Sequence, residues 1–320
     1  MQNSKIMINR PEYGSDPFSH LLHLVSAQPM ISGGFQAGGS WAIRFPRPDY
    51  LKFFALLKGE CWLRLENEDR PIRLREGDVV LLSVPCAFLL ANDLQTEPVN
   101  ALELFANQPQ GYKTAVLGTG KDCIQIGGHV QLDKDSGELL TALLPPVIHI
   151  RADSPYAAPL KWLLDQLIRE REAERAGYSL VSAQIAQLLF VQIMRIYLET
   201  NDALPCGSLR AINDQRLAPA MRLMHDEPGH AWQLNELATA CAMSRTGFAT
   251  HFKAVAGVGP LTYLTQWRMA LAKRTLREQY VPLEILANDL GYGSESAFSN
   301  AFKRSTGMAP THYRDYIGRR

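Results

Sequence analysis

The stretch that decides the fold of the C-terminal third is SRTGFATHFKAVAGVGPLTY, residues 244–263, because its pattern recurs as SESAFSNAFKRSTGMAPTHY, residues 294–313. Two phenylalanines, a glycine, a proline and a tyrosine repeat at a spacing of 50 residues. Chance recurrence of such a template is on the order of 10⁻⁷ from composition. The repeat therefore indicates two copies of one supersecondary unit. The matching pairs are Phe248/Phe298, Phe252/Phe302, Gly257/Gly307, Pro260/Pro310 and Tyr263/Tyr313.

Each copy predicts two short helices joined by a tight turn. A Leu-Ala pair precedes the turn, and a serine stands where the N-cap of the second helix belongs. Phenylalanines four residues apart share one helix face, which we expect to be buried. This arrangement is typical of a helix-turn-helix, predicted here over residues 234–256 and 283–306. The residues are Leu237-Ala238 with Ser244, and Leu286-Ala287 with Ser294; the second turn is one residue longer.

The faces opposite the phenylalanines carry short polar side chains flanked by cations. Small hydrogen-bonding side chains suit base edges, Lys and Arg suit phosphates, and a capped helix start favours an anion. Ala249 can offer a base only apolar contact, for example with a thymine methyl. We therefore expect base contacts from Arg245, Thr246, Ala249, Thr250, Glu295, Ser296, Ser299 and Asn300, and phosphate contacts from Lys253, Arg268, Lys303, Arg304 and Arg314.

Charge and the segment between the copies support DNA as the partner. Residues 1–209 have a formal charge of −4, whereas residues 210–320 have +5, the sign expected where phosphates are contacted. Residues 261–277 predict one connecting helix that would hold both recognition helices on one DNA face, in successive major grooves roughly 34 Å apart. A helical repeat that binds protein is the alternative, but it would not need basic residues around both outer helices.

The N-terminal part shows a different periodicity. Short β-rich runs are separated by turn signals such as Lys58-Gly59, and Cys61, Leu63 and Leu65 alternate with more polar residues. Period-2 alternation in closely spaced runs predicts a sandwich or barrel. The predicted strands cover Leu51–Leu57, Cys61–Leu65, Pro71–Leu74 and Val79–Val84.

Two helices and a linker follow the strands. One helix is predicted from residue 159 or 160 to about 176, and a second from 180 to about 200. The second is apolar on two faces. One face carries Val181, Ile185, Leu188, Leu189 and Ile196, and the other carries Phe190, Ile193 and Tyr197. A helix that is apolar on most sides is buried on most sides, which predicts dimerisation unless both faces pack within one monomer.

Residues 214–315 resemble the DNA-binding domain of the AraC/XylS family of bacterial transcription regulators, through the repeat and through ANDLGYGSESAFSNAFKRSTGMAPTHYR, residues 287–314. The resemblance implies seven helices and promoter binding near RNA polymerase, most often as an activator. It also implies base reading by Thr246, Ala249 and Thr250 in the first recognition helix. In the second, the corresponding residues are Glu295, Ser296, Ser299 and Asn300.

The N-terminal part is similar to the cupin-like sensor domain of one subgroup of that family, through GGSWAIRFP, LKGECWLRL and LREGDVVLLS. Many cupins hold a metal with histidines, but Phe88 stands where a family histidine is expected. His20 and His23 lie three residues apart and are interpreted as ordinary helix residues. We therefore predict an α+β chain: a cupin-like β-barrel over 14–150, a helical dimerisation segment over 151–200, a linker over 201–213, and an all-α DNA-binding domain with two helix-turn-helix units over 214–315.

Two other function classes compete with a homodimeric regulator. A cupin-type metal-dependent enzyme fused to a DNA-binding domain needs three or four ligands at one metal, which the strands do not supply. A DNA-repair methyltransferase would need a cysteine cluster near the N-terminus, whereas the first cysteine is Cys61. We expect no enzyme activity, no cofactor or metal, and no membrane span, and we expect a cytoplasmic protein at the bacterial nucleoid. We expect its DNA binding to be controlled by a small-molecule effector or by a redox change at Cys86 or Cys123, or else to be constitutive.

Overall fold

The computed structural model describes residues 16–83, 86–106, 114–134, 136–201 and 204–318. The chain forms two units. The sheet unit comprises residues 27–133 and 144–201. The helical unit comprises residues 1–26, 134–143 and 202–320. The N-terminal helix and residues 134–143 belong to the helical unit, although both lie within the range 14–150 predicted for the cupin-like domain.

The sheet unit is built from two facing sheets. The six-stranded sheet has the order β11-β6-β3-β10-β1-β9, and the five-stranded sheet has the order β5-β4-β7-β2-β8. Most neighbours are antiparallel, but β1 with β9 and β2 with β8 are parallel. The strands are β1 (Gln28–Ala37), β2 (Ala42–Phe45), β3 (Leu51–Lys58), β4 (Glu60–Leu65), β5 (Ile72–Arg75), β6 (Val79–Leu82), β7 (Phe88–Ala91), β8 (Val99–Asn100), β9 (Thr114–Leu117), β10 (Cys123–Gln131) and β11 (Val147–Ile150).

Alternation along the strands explains why the sheets enclose a core. Cys61, Leu63 and Leu65 of β4 are buried, whereas Trp62 and Arg64 between them are half-buried. The interior is filled by large side chains, among them Phe35, Phe54, Ile43 and Trp41. All four predicted strands are present, although residue 84 lies outside the described residues. The cupin-like fold expected from the sequence is thereby confirmed.

Helices complete the two units. In the sheet unit, α5 packs against α4, β1 and β11. In the helical unit, α10 connects two lobes: α8 and α9 lie in the first, and α11 to α13 in the second. The helices are α1 (Pro17–Leu24), α2 (Ala101–Ala106), α3 (Glu138–Thr141), α4 (Ala158–Ala173), α5 (Tyr178–Thr200), α6 (Ser208–Asn213), α7 (Ala218–Asp226), α8 (Leu234–Ala240), α9 (Arg245–Ala256), α10 (Pro260–Glu278), α11 (Leu283–Asp289), α12 (Glu295–Thr306) and α13 (Pro310–Gly318).

The faces of α5 are less symmetric than the sequence suggested. Leu189 and Ile193 are buried inside the sheet unit, at 1% and 0% exposure. The exposed apolar side chains of the helix are Leu180, Val181 and Leu188, and Val181 and Leu188 belong to the first predicted face. By length and composition α5 could cross a membrane, but its packing on strands is typical of a core helix in a soluble protein.

Helix α1 is buried along most of its length and packs on other helices of the helical unit. Phe18, Leu21 and Leu24 are buried, and the helix contacts α6, α7 and α10. The Ser136 hydroxyl donates to the carbonyl of Leu24 at 3.1 Å. Helix α1 therefore packs against two helices of the first lobe and against the connecting helix α10.

Candidate nucleic-acid interface

The second helix of each helix-turn-helix has the same N-terminal cap. The hydroxyl of Ser244 accepts from the Gly247 N–H at 3.1 Å, and that of Ser294 accepts from the Ala297 N–H at 3.1 Å. At the other end, Gly257 and Gly307 have φ of 78° and 82°. Matched caps set α9 and α12 to the same length of 12 residues. Both predicted N-caps are present.

The phenylalanine pairs fix the orientation of both helices. Phe248 and Phe252 in α9 are completely buried, as are Phe298 and Phe302 in α12. Each pair has ring centroids 5.7 Å apart. Because these side chains face the core, the opposite face of each helix is turned to solvent.

The outer faces carry the predicted base-reading residues. In α9, Arg245, Thr246 and Thr250 are exposed and Ala249 is half-buried. In α12, Glu295, Ser296 and Asn300 are exposed and Ser299 is half-buried. The structure therefore brings each predicted set together on one accessible surface.

The turns before these helices share one backbone pattern. The N–H of Met243 donates to the carbonyl of Ala238 at 2.9 Å, and the N–H of Tyr292 donates to that of Ala287 at 2.8 Å. This equivalence makes Gly293 the extra residue of the second turn. Ala242 in the first turn has φ of 52°, and its counterpart Gly291 has φ of 77°.

Arg268 of α10 has a different environment from the phosphate-contacting one predicted. Its guanidinium donates to the carbonyls of Pro228 at 2.5 Å and His230 at 2.8 Å, and it lies 5.8 Å from the ring of Tyr292. A Cβ on Gly291 would lie 2.2 Å from the Gly229 carbonyl oxygen. These contacts hold the turn before α8 against the turn before α12, so we infer that Arg268 positions the two lobes.

The guanidinium of Arg314 in α13 also binds groups within the protein. It donates to the carbonyl of Val281 at 2.6 Å and lies 4.8 Å over the ring of Tyr280. Lys253, Lys303 and Arg304, by contrast, are exposed in the last turns of α9 and α12. Of the predicted phosphate contacts, these three remain available to an anion.

A buried histidine cluster in the first lobe was not expected from the sequence. His225 of α7 stacks on Trp267 with centroids 4.0 Å apart, and its Nε2 is hydrogen-bonded to the Tyr263 hydroxyl at 2.8 Å. The ring of His20 from α1 stacks at 6.0 Å on the ring of His225. Burial, with a smaller contribution from His20, lowers the pKa of His225 to about 3. A lone histidine in an apolar stretch could have indicated burial, but not its partners.

The histidines of the sheet unit have structural partners. His149 is hydrogen-bonded to buried Asp78 at 2.8 Å, and Asp78 also accepts from the Ala152 N–H at 2.8 Å. His129 stacks on Tyr50. Among the described residues, no group of three or more His, Cys, Asp or Glu side chains is placed to hold a metal ion.

Cys86 lies in an environment that disfavours its thiolate. Burial, together with Glu66 and Glu68, raises the pKa of the Cys86 thiol, whereas a reactive cysteine needs nearby positive charge. Cys123 is buried in the same apolar core as Cys61.

Two helix-turn-helix units with solvent-facing second helices define a DNA-binding regulator as the class of protein. Residues 16–199 match a family described as Cupin, and residues 237–316 match one described as Helix-turn-helix domain. The first match covers more than half of the chain. The protein belongs to the AraC family of transcription regulators, and it carries an N-terminal cupin-like domain.

Two relatives match along most of the chain, and one solved DNA-binding domain matches a third of it. An AraC-like transcription regulator of Streptomyces antibioticus is 39% identical over 94% of this chain and 99% of its own length. The HTH-type transcriptional regulator AlkR of Acinetobacter baylyi is 29% identical over 86% of this chain and 91% of its own length. The DNA-binding domain of AdpA, solved with a target DNA, is 28% identical over 33% of this chain and 97% of its own, with a TM-score of 0.32. A transcription regulator of this family works in the cytoplasm.

Proposed function

We propose that the protein is a homodimeric activator whose two recognition helices, α9 and α12, enter successive major grooves of one operator. The observation that carries this proposal is the pair of equally capped helices, each with its apolar face buried and its polar face in solvent. The connecting helix α10 has 19 residues, which corresponds to about 28 Å at 1.5 Å per residue. That length is comparable to one turn of DNA, roughly 34 Å.

The side chains divide into base-reading and phosphate-binding groups. Asn300 is exposed near the middle of α12 and can make two hydrogen bonds to an adenine edge. Lys253 and Lys303 are exposed at the C-terminal ends of their helices, where a long flexible cation reaches a phosphate without reading a base. Glu295 at the start of α12 can accept from a cytosine amino group.

The first test separates base reading from anchoring. We expect Asn300→Ala to cost about 1–3 kcal/mol at particular base pairs and little on random DNA. We expect Lys303→Ala to weaken all sequences about equally and to reduce the salt slope by about one. The measurement is affinity for operator and for scrambled DNA at several salt concentrations.

Ser305→Ala serves as the matched control, because Ser305 is exposed five residues further along the same helix. Equal weakening of operator and scrambled DNA by Asn300→Ala would show that this face does not read bases.

Dimerisation is assigned to the exposed apolar patch of α5. Leu180, Val181 and Leu188 are 67%, 42% and 50% exposed, and burying such side chains in a second copy is favourable by about 25 cal/mol per Å². We expect a dimer at micromolar concentration and a monomer for the double variant Val181→Glu, Leu188→Glu. Sedimentation velocity measures the difference.

Ala183→Glu is the control for this experiment. Ala183 is exposed and lies roughly 140–160° around the helix axis from the two substituted positions, Val181 and Leu188, so its replacement adds a charge away from them. A monomeric wild-type protein would contradict the dimer proposal.

The remaining expectations rest on the family. Promoter binding beside RNA polymerase, association with the nucleoid and control by a small-molecule effector follow from the regulator class. The relatives named above are transcription regulators, which supports a regulatory rather than an enzymatic role for the cupin-like domain.

A further inference from the structure

The two recognition helices end differently, although their sequences repeat. In α9, two of the last backbone carbonyls accept hydrogen bonds from the segment that precedes the first helix-turn-helix. The Gly207 N–H donates to the carbonyl of Val255 at 3.1 Å, and the Cys206 thiol donates to that of Ala254 at 3.2 Å. The last carbonyls of an α-helix have no donor within the helix, so residues 206 and 207 cap the C-terminal end of α9.

A second contact holds the side of α9. The Nε2 of His251, in the middle of the helix, is hydrogen-bonded to the Asp214 carboxylate at 2.9 Å, and both side chains are half-buried. The same carboxylate accepts from the N–H groups of Arg216 and Leu217, so its position is set by the turn before α7. The short helix α6 lies between the two contacts in the chain and packs on α9 as well. We call residues 206–214 the strap.

The second recognition helix has neither contact. Fifty residues on, Ala301 takes the place of His251, and Arg304 and Ser305 take the places of the two residues whose carbonyls are capped. Ala301 has no polar side-chain group. Among the described residues, none outside α12 donates to the carbonyls of Arg304 or Ser305. The difference follows from chain order, because the first helix-turn-helix is preceded by the strap and the second by the connecting helix α10.

We propose that the strap, through Cys206 and Asp214, positions the first recognition helix for base reading and does not affect the second. This inference rests on the proposed reading of DNA by α9. A hydroxyl hydrogen bond tolerates a donor–acceptor range of only about 0.5 Å, so the short side chains of Thr246 and Thr250 cannot compensate for a shift of the helix. Lys253, which is long and flexible, can still reach a phosphate after such a shift. The strap therefore controls specificity in one half of the operator more than affinity.

The test uses the full-length protein and a duplex that the wild-type protein selects from random DNA. Thr250→Ala and Asn300→Ala assign the base pairs that α9 and α12 read. The double variant Cys206→Ala, Asp214→Ser should then lose about tenfold in discrimination at the α9 base pairs, the amount that one base contact supplies. It should keep the wild-type discrimination at the α12 base pairs and the wild-type salt slope, because no phosphate contact is removed.

The substitutions are chosen to loosen the strap without unfolding it. A serine at position 214 keeps an oxygen that can cap the turn before α7 but is too short to reach His251. The single variant Cys206→Ser replaces the thiol by another donor and should keep wild-type discrimination at both sets of base pairs. Without DNA, the double variant should show faster amide exchange in the last turn of α9 and unchanged exchange in α12.

Two results with the double variant would overturn the proposal. One is an equal loss at both sets of base pairs, or a uniform fall in affinity for all duplexes, which would mean that the strap only stabilises the fold. The other is unchanged discrimination at the α9 base pairs, whether or not the amide exchange of α9 changes. A wild-type protein that selects no sequence from random DNA would contradict the proposed function, and this inference with it, before any variant is compared.

Discussion

The two lobes of the helical unit share a framework but differ on their outer surfaces. Both have a serine-capped recognition helix, a buried phenylalanine pair and a left-handed glycine at the helix end. The first recognition helix, α9, begins with Arg245, whereas α12 begins with Glu295. The repeat thus fixes how each helix is presented, while the exposed residues determine which DNA each helix can bind.

The lobes also differ in what supports them. The first lobe packs with α6 and α7, and α1 adds further contacts, whereas the second is closed by α13. A buried histidine cluster occurs in the first lobe, at His225. The comparison indicates that the first lobe is anchored in a larger core and that the second depends more on α10 and on the Arg268 contacts.

The largest loss of unfolding free energy is expected when a core phenylalanine is removed from either lobe. Phe252→Ala and Phe302→Ala each remove a completely buried ring, and such changes cost about 3–5 kcal/mol of unfolding free energy. Because the second lobe has fewer supporting helices, we expect Phe302→Ala to increase amide exchange mainly in α11–α13. Phe252→Ala should affect α1 and α7 as well. Hydrogen exchange with mass spectrometry measures both patterns.

Uniform loss of protection throughout the helical unit in both variants would show that the lobes unfold as one. Ser305→Ala, at an exposed position of α12, should leave exchange unchanged.

The second effect concerns pH and is confined to the first lobe. The pKa of His225 is about 3 in the folded protein against an ordinary value of 6.5, so the unfolded chain binds a proton that the folded chain excludes. The contribution of this group to stability is complete above pH 6.5 and decreases as the pH falls towards 3. Between pH 7 and 5 the loss amounts to about 2 kcal/mol.

Urea denaturation at several pH values measures this dependence. We expect the slope to decrease in His225→Phe, which keeps a ring but cannot titrate. His312→Gln removes an exposed histidine and should leave the slope as it is in the wild type. An unchanged profile in His225→Phe would rule out this histidine as the source.

The smallest effects are expected in the two turns, and they have opposite signs. Gly291→Ala places a Cβ 2.2 Å from the Gly229 carbonyl oxygen and adds left-handed strain, so we expect a loss of at least about 1–2 kcal/mol. Ala242→Gly relieves similar strain but increases the entropy of the unfolded chain. We expect a net gain below about 1 kcal/mol, measured by chemical denaturation.

Ala254→Gly is the matched control, since Ala254 has ordinary helical geometry in α9. It should destabilise by about 1 kcal/mol. A loss in Ala242→Gly as large as in this control would mean that the first turn is not strained.

Local periodicity was enough to predict the repeat, the caps and the connecting helix. Serine caps and phenylalanine pairs depend on contacts within one or two helical turns. The residues around Ser244 and Phe248 are therefore enough to predict the start and the buried face of that helix. The alternating strand around Leu63 was predictable for the same reason. The family resemblance further indicated the cupin-like fold.

Features that depend on distant contacts could not be predicted in this way. A basic side chain such as Arg268 can bind a phosphate or a backbone carbonyl, and the choice depends on Pro228 and His230, about 40 residues away. Likewise, the pattern of α5 indicated two apolar faces, but only the packing shows that Leu189 is internal and Leu188 is exposed.

The placement of α1 affects how this protein can be divided. The chain passes between the two units four times, near residues 26, 133, 143 and 201, so four peptide connections join the units. A single proteolytic cut between α5 and α6 would leave the C-terminal fragment attached through the buried face of α1. A recombinant fragment starting at residue 210 would expose the apolar surfaces of α7 and α10 that Phe18 and Leu21 help to cover. Supplying α1 as a peptide, or fusing it to that fragment, should restore the solubility that truncation removes.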